Sequence, residues 1–167
     1  NVTYYLYATL PASAPYGNNT KVAVSSTPFT VRHQPVLDVA SKPIEPSSGS
    51  TTLNSGGDSP SNTYTIEWKA VDYNSSTLDV KLWISTADSL GLQHITEDGS
   101  AVTALSGATQ IGTDATISKN TQSYTLNITT PTRLTKGTYY VYVTVHDGSN
   151  YNISRSGGTL VIKHAPS

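Results

Sequence analysis

The sequence predicts an all-β protein: an antiparallel β-sandwich preceded by a two-strand hairpin. Three observations carry this. The first is composition. The chain holds 11 Tyr against a single Phe and is rich in Ser and Thr; Thr and Tyr favour strands, while Ser, Gly, Pro and Asn favour turns. The second is alternation in Gly137-Thr-Tyr-Tyr-Val-Tyr-Val-Thr-Val-His-Asp-Gly148. Tyr139, Val141, Val143 and Val145 point one way and Tyr140, Tyr142, Thr144 and His146 the other, the period of two that marks a strand with a buried face. The third is an echo of that strand at the front of the chain, Thr3-Tyr-Tyr-Leu-Tyr-Ala-Thr-Leu10.

The echo extends further. Tyr4 aligns with Tyr139 at an offset of 135, so Tyr5 and Tyr7 match Tyr140 and Tyr142, and Leu6 and Ala8 match Val141 and Val143. Phe29-Thr-Val-Arg-His-Gln-Pro35 then matches Leu160-Val-Ile-Lys-His-Ala-Pro166 at an offset of 131, which makes the first hairpin loop four residues longer. Residues 1–34 therefore read as the closing hairpin of a partial preceding repeat, and 35–167 as one complete repeat. An isolated hairpin is marginal in water, so the first one is expected to dock on its own domain or to complete a sheet in a neighbour by strand addition.

Within the complete repeat a first strand is expected over 36–44, broken by Pro43, followed by a Ser/Gly/Pro-rich loop over 45–60. A second strand, 62–71, turns Tyr64, Ile66, Trp68 and Ala70 inward. A third, 78–85, turns Val80, Leu82 and Ile84 inward and Trp83 outward. The stretch 86–120 reads as irregular, with a turn at Glu97-Asp-Gly-Ser100 between short strands near 94–96 and 101–104, because Asp-Gly supplies positive-φ positions. A strand at 122–129 turns Tyr124, Leu126 and Ile128 inward. The strand through Tyr139 and a last one at 160–164 close the fold. The approach Leu134-Thr-Lys-Gly-Thr-Tyr139 predicts a tyrosine corner, in which the Tyr hydroxyl bonds back to the preceding loop.

These pieces resemble the immunoglobulin-like and fibronectin-type-III-like domains strung in tandem in prokaryotic cell-surface proteins. The matching stretches are Tyr64-Thr-Ile-Glu-Trp-Lys-Ala-Val-Asp72, Val80-Lys-Leu-Trp-Ile84, Gly137-Thr-Tyr-Tyr-Val-Tyr142 and His146-Asp-Gly148. The resemblance implies an immunoglobulin-like sandwich and a role as a surface stalk, layer or adhesin module. Trp68 lies on the second strand rather than the third, and there is no Cys pair, so antibody-specific details do not carry over.

Charge and motifs narrow the function classes. Only 13% of residues are charged, with net charge −1 and pI near 6.4, which argues against nucleic acid as a partner. No Cys is present, so neither disulfides nor thiolate metal sites arise. No apolar run reaches the roughly 18 residues of a membrane span. The sequence has no initiator Met and no signal peptide, which reads as a processed chain or a piece of a longer one. No nucleophile elbow, zinc-protease helix motif or phosphate-cradling loop occurs, and no enzymatic role is expected.

Three sets of residues remain as candidates. Tyr5, Tyr7, Trp83, Tyr140 and Tyr142 should lie on the non-core face, where an aromatic row can form an interface or stiffen a solvated sheet by cross-strand pairing. Asp38, Asp72, Asp79 and Asp147, with Asn74 and Asn150, fall in or near loops at one end and could converge on Ca²⁺, though Asp and Asn also favour turns for local reasons. Asn1, Asn18, Asn74, Asn127 and Asn152 head Asn-x-Ser/Thr triplets, glycosylation acceptors where the machinery exists. The expectation is an extracellular, bacterial or archaeal cell-surface module of a repeat protein, filament or surface layer, joined to its own kind by self-association. The alternative is a carbohydrate- or protein-binding adhesin module.

Overall fold

The structure, a computed structural model, describes residues 2–10, 21–55, 62–73, 75, 77–118, 122–128 and 134–164. The described residues are all-β apart from one 3-10 turn at Leu92–His94. The chain divides into two compact units, Asn1–His33 and Gln34–Ser167.

The first unit is a long interrupted hairpin. Strand β1 (Val2–Tyr4) pairs antiparallel with β4 (Phe29–Val31), and β2 (Tyr7–Leu10) with β3 (Lys21–Val24). The interruption is a bulge at which the Leu6 N–H donates to Ser25 Oγ at 3.2 Å while the Leu6 carbonyl accepts from Ser25 N–H at 2.8 Å.

The second unit consists of several antiparallel sheets, an arrangement consistent with a β-sandwich. On one side β5 (Val36–Leu37) pairs with β8 (Ala70–Val71), and β7 (Thr63–Glu67) with β13 (Ser123–Asn127). On the other lies a five-stranded sheet in the order β12-β9-β14-β15-β6. Its members are β6 (Ser50–Asn54), β9 (Thr77–Ser85), β12 (Thr109–Ser118), β14 (Gly137–His146) and β15 (Tyr151–Lys163). All pair antiparallel except β6, which runs parallel to β15. One apolar cluster joins both sides: Leu37, Ile66, Trp68 and Leu126 meet Leu53, Leu82, Ile84, Val141, Val143, Val145, Leu160 and Ile162. Ile66, Trp68, Leu82, Ile84, Leu126, Val141, Val143 and Val145 are inward positions that the period-two alternation selects; Leu37, Leu53, Leu160 and Ile162 join them in the structure.

The tyrosine corner closes as the sequence suggests, with the Tyr139 hydroxyl donating to the Thr135 carbonyl at 3.0 Å. Five boundaries differ from expectation. The first strand stops at Leu37, because Asp38 starts a turn in which its carboxylate accepts from Ser41 N–H and its carbonyl from Lys42 N–H. The second strand, expected unbroken over 62–71, is interrupted at Trp68 and Lys69 between β7 and β8. Part of the expected loop over 45–60 is strand β6, an edge strand in which only Leu53 is fully buried, so its hydrophobic signal is weak. The stretch 86–120 contains the ten-residue β12. Finally, β15 begins at Tyr151 rather than 160 and runs through Gly157 and Gly158.

The last strand expected from the sequence leaves those two glycines out; Gly weakens strands, yet here the pair allows a close approach. The chain passes from one sheet to the other across β15, and the Gly158 N–H donates to the Pro46 carbonyl at 2.7 Å and the Thr159 N–H to that of Gly49 at 2.9 Å. A Cβ on Gly158 would stand 2.6 Å from the Ser48 carbonyl oxygen, and one on Gly157 would collide with that of Ser47.

Candidate interaction surfaces

The five-stranded sheet has a second face, and the structure covers it. Trp83 and Tyr142 point away from the sandwich core, as alternation requires, but are only 3% and 1% exposed. They form a second apolar cluster with Val102 and Leu105, against which Leu90, Ile95, Ala108, Tyr151 and Ile153 pack. The cover is the excursion between β9 and β12. There β10 (Ile95–Glu97) and β11 (Val102–Leu105) pair as a hairpin around the expected Asp98-Gly99 turn. Polar ends are satisfied locally: Trp83 Nε1 donates to Thr144 Oγ1 at 2.9 Å, and the Tyr142 hydroxyl to the Ala87 carbonyl at 2.8 Å. Burial pushes the Tyr142 phenol above its ordinary pKa. Tyr140 is half-buried beneath the Arg155 guanidinium, 4.3 Å from its ring centre, and Arg155 also donates to the Asp88 carbonyl.

The expected aromatic interface is therefore corrected at Trp83 and Tyr142, which are interior side chains. The signal for this was the set Leu90, Ile95, Val102 and Leu105 in a stretch otherwise read as irregular. Their spacing follows no single period, because a turn, a hairpin and a loop contribute in succession.

Tyr5 and Tyr7 are different: both are exposed, Tyr7 at 68%. Their hairpin reproduces the register of the β14–β15 hairpin, apart from the Tyr140–Thr159 pair, whose counterpart would fall at Pro28. Tyr139 faces Leu160, and Tyr4 faces Phe29. Tyr142, Val143, Thr144 and Val145 face Arg155, Ser154, Ile153 and Asn152; Tyr7, Ala8, Thr9 and Leu10 face Val24, Ala23, Val22 and Lys21. Both hairpins skip register at the same place. There the Val141 N–H donates to Ser156 Oγ at 3.0 Å, the counterpart of Leu6 to Ser25. The offsets of 135 and 131 seen in the sequence are thus the register of two equivalent hairpins, and the first has four more residues between Leu10 and Lys21 than the second has between Val145 and Asn152.

The carboxylates do not gather. Among the described residues no group of three or more His, Asp or Glu side chains is placed to hold a metal ion. Asp38 is committed to Lys69 at 2.8 Å and to Ser41, and these bonds, Lys69 first, hold its pKa down to about 2. Asp147 accepts from the N–H groups of Ser149 and Asn150 at 2.8 and 2.7 Å, closing the β14–β15 turn. Asp72 is buried beyond the end of β8, and Asp79 lies on β9 opposite His146 of β14. His146, also buried, accepts from Gly148 N–H at Nδ1 and has Nε2 3.7 Å from Glu97. Asn74 is outside the described residues.

Of the glycosylation triplets, those of Asn1, Asn18 and Asn74 have their Asn outside the described residues. Asn127 is exposed on β13. Asn152 lies on β15, where its Nδ2 donates to the Pro35 carbonyl at 3.1 Å and its Oδ1 accepts from Ile153 N–H. No helix among the described residues is long and apolar enough to cross a membrane.

No protein-family model matches the chain, and no curated protein sequence matches it.

Proposed function

We propose that the chain is a non-enzymatic structural module of a cell-surface assembly, built from repeated immunoglobulin-like β-sandwich units that join through their sheets. The supporting observation is the duplicated hairpin: two segments 135 residues apart share pairing, bulge and bulge hydrogen bond. Repetition of a whole sheet element serves an extended architecture, in which each unit buries its faces against neighbours. The immunoglobulin-like reading of the second unit draws on its strand order. A first strand split into β5 and β6 contributes to both sides, with the β6 half parallel to the last strand, and β14 and β15 form the closing hairpin.

An extracellular location fits a Cys-free chain rich in Ser, Thr and Asn whose apolar surface is concentrated in one hairpin. The adhesin alternative draws on exposed Tyr5 and Tyr7 alone, because Trp83 is interior and unavailable to stack on a sugar. Immunogold electron microscopy of the source cells tests the proposal. Label in a regular array on the outer surface is expected; label confined to the cell interior overturns it.

A further inference from the structure

We propose that the free edge of the first hairpin, along Tyr5–Leu10, is a strand-acceptor site for another polypeptide. The donor is an antiparallel strand of the β9 type, with aliphatic residues alternating on one face and an indole on the other. This rests on the reading of residues 2–31 as a copy of the β14–β15 hairpin.

The structure itself shows what such a hairpin binds. In the second unit β9 lies along β14, pairing Tyr140 to His146 with Ser85 to Asp79 residue by residue. On that strand Val80, Leu82 and Ile84 join the sandwich core, and Trp83 enters the outer cluster. In the first unit the two strand pairs stand as two-stranded sheets, so no strand occupies the matching edge among the described residues. The side chains that β9 and its neighbours would cover are open. Leu6 is 66% exposed where Val141 is fully buried, and Phe29, Val31 and Tyr7 are exposed where Leu160, Ile162 and Tyr142 are buried. Leu6, Phe29 and Val31 hold the positions of the core face of the second hairpin and Tyr7 that of its outer face, and exposed apolar surface of this kind marks interaction sites. The chain's own strand of this type is already paired with β14 on one side and β12 on the other, so the donor is a different polypeptide.

The opposite edge of the hairpin is not equivalent. In the second unit the β15 edge takes β6 because Gly157 and Gly158 admit the crossing segment and the Thr159 N–H bonds to it. The first unit has Ser26, Thr27 and Pro28 there: two side chains that would block the approach, and a Pro with no N–H to give. The Tyr5–Leu10 edge carries neither Pro nor Gly and keeps every amide. Strand addition at such an edge draws affinity from main-chain hydrogen bonds and specificity from alternate side chains.

The test uses the full chain and a fluorescein-labelled peptide of the β9 sequence, residues 77–85, followed by fluorescence anisotropy. Saturable binding is expected, absent with a scrambled peptide and weakened at least about tenfold by Leu6→Asp, which would place a charge against the donor's aliphatic face. Two further peptides, N-methylated at odd or at even positions, keep the test valid if Leu6→Asp disturbs the hairpin. Only alternate amides of an added strand face its neighbour, so one peptide should bind and the other should not. No binding of the parent peptide, equal behaviour of the two methylated peptides, or full binding to a folded Leu6→Asp chain each overturns the proposal. Light scattering of the chain alone covers the competing occupant: self-association that Leu6→Asp abolishes, without peptide binding, gives the edge to a second copy and also overturns it. Surface location is read by microscopy and edge binding by anisotropy, so either reading can fail without the other.

Discussion

The hairpin of residues 2–31 and the β14–β15 hairpin have the same pairing, bulge and bulge-spanning serine, yet Leu6 lies open where Val141 is sealed. Pairing is a local property, carried by alternation and turn length, and it survives in both copies. Burial is a property of neighbours. The second hairpin has β9 and β6 on its flanks, the opposing sheet on one face and the 86–108 excursion on the other. The comparison separates what makes a hairpin from what makes it a core, and paired substitutions at matching positions can break it.

The largest difference is expected at the aliphatic pair Ile162 and Val31. Ile162→Ala empties a fully packed site and should cost about 2–5 kcal/mol. Val31→Ala, at an exposed position, should move the main unfolding transition by less than about 0.5 kcal/mol. Urea denaturation followed by circular dichroism measures both; equal losses would mean that the first hairpin is as buried as the second.

The bulge serines come next. Ser156→Ala leaves the Val141 N–H without its partner in the core and should cost about 1–3 kcal/mol. Ser25→Ala removes the same bond where water can replace it, so the main transition should hardly move. Amide exchange at Val141 and Leu6 reads the same contrast residue by residue, with strong protection expected only at Val141.

Gly158→Ala sharpens the comparison at the sheet crossing. The added methyl meets backbone carbonyls rather than a side chain that can swing away, and overpacking of this kind costs about 1–3 kcal/mol. Thr27 already carries a Cβ at the matching position, so Thr27→Gly should leave the melting temperature of the main transition unchanged.

The smallest effect is electrostatic and belongs to the entry of the second unit, for which the first has no described counterpart. Asp38 is held at a pKa of about 2 by Lys69 and Ser41. Its folded pKa lies below the ordinary carboxylate value near 3.9. The stability it contributes is therefore present above that value and is lost as pH falls toward 2. Lys69→Met should move the Asp38 titration, followed by carboxyl carbon chemical shift, upward toward the ordinary value. An unmoved midpoint would show that Ser41 alone sets it.

Much of this was legible in the residues. Tyr139, Val141, Val143 and Val145 declared a strand and its inner face, and the matching offsets declared a second hairpin with a longer turn. Glu97-Asp-Gly-Ser100 declared the small outer hairpin. Strand β6 was not legible, because Ser-Thr-Thr-Leu-Asn carries one core residue and takes its shape from parallel pairing with β15. The first half of β15 was not legible for a related reason: Gly157 and Gly158 serve a chain segment more than a hundred residues earlier in sequence.

The outer face shows the same division. Alternation correctly sent Trp83 and Tyr142 away from the sandwich core, since side-chain direction in a strand follows from backbone geometry alone. Whether that direction leads to water or to a second apolar cluster depends on where residues 86–108 fold. That is decided by long-range packing among Leu90, Ile95, Val102 and Leu105, whose spacing has no period to read. Local chemistry therefore accounts for most strands and turns and for the repeat, with β6 and the first half of β15 excepted, and assembled neighbours account for the differences in burial between equivalent positions such as Leu6 and Val141.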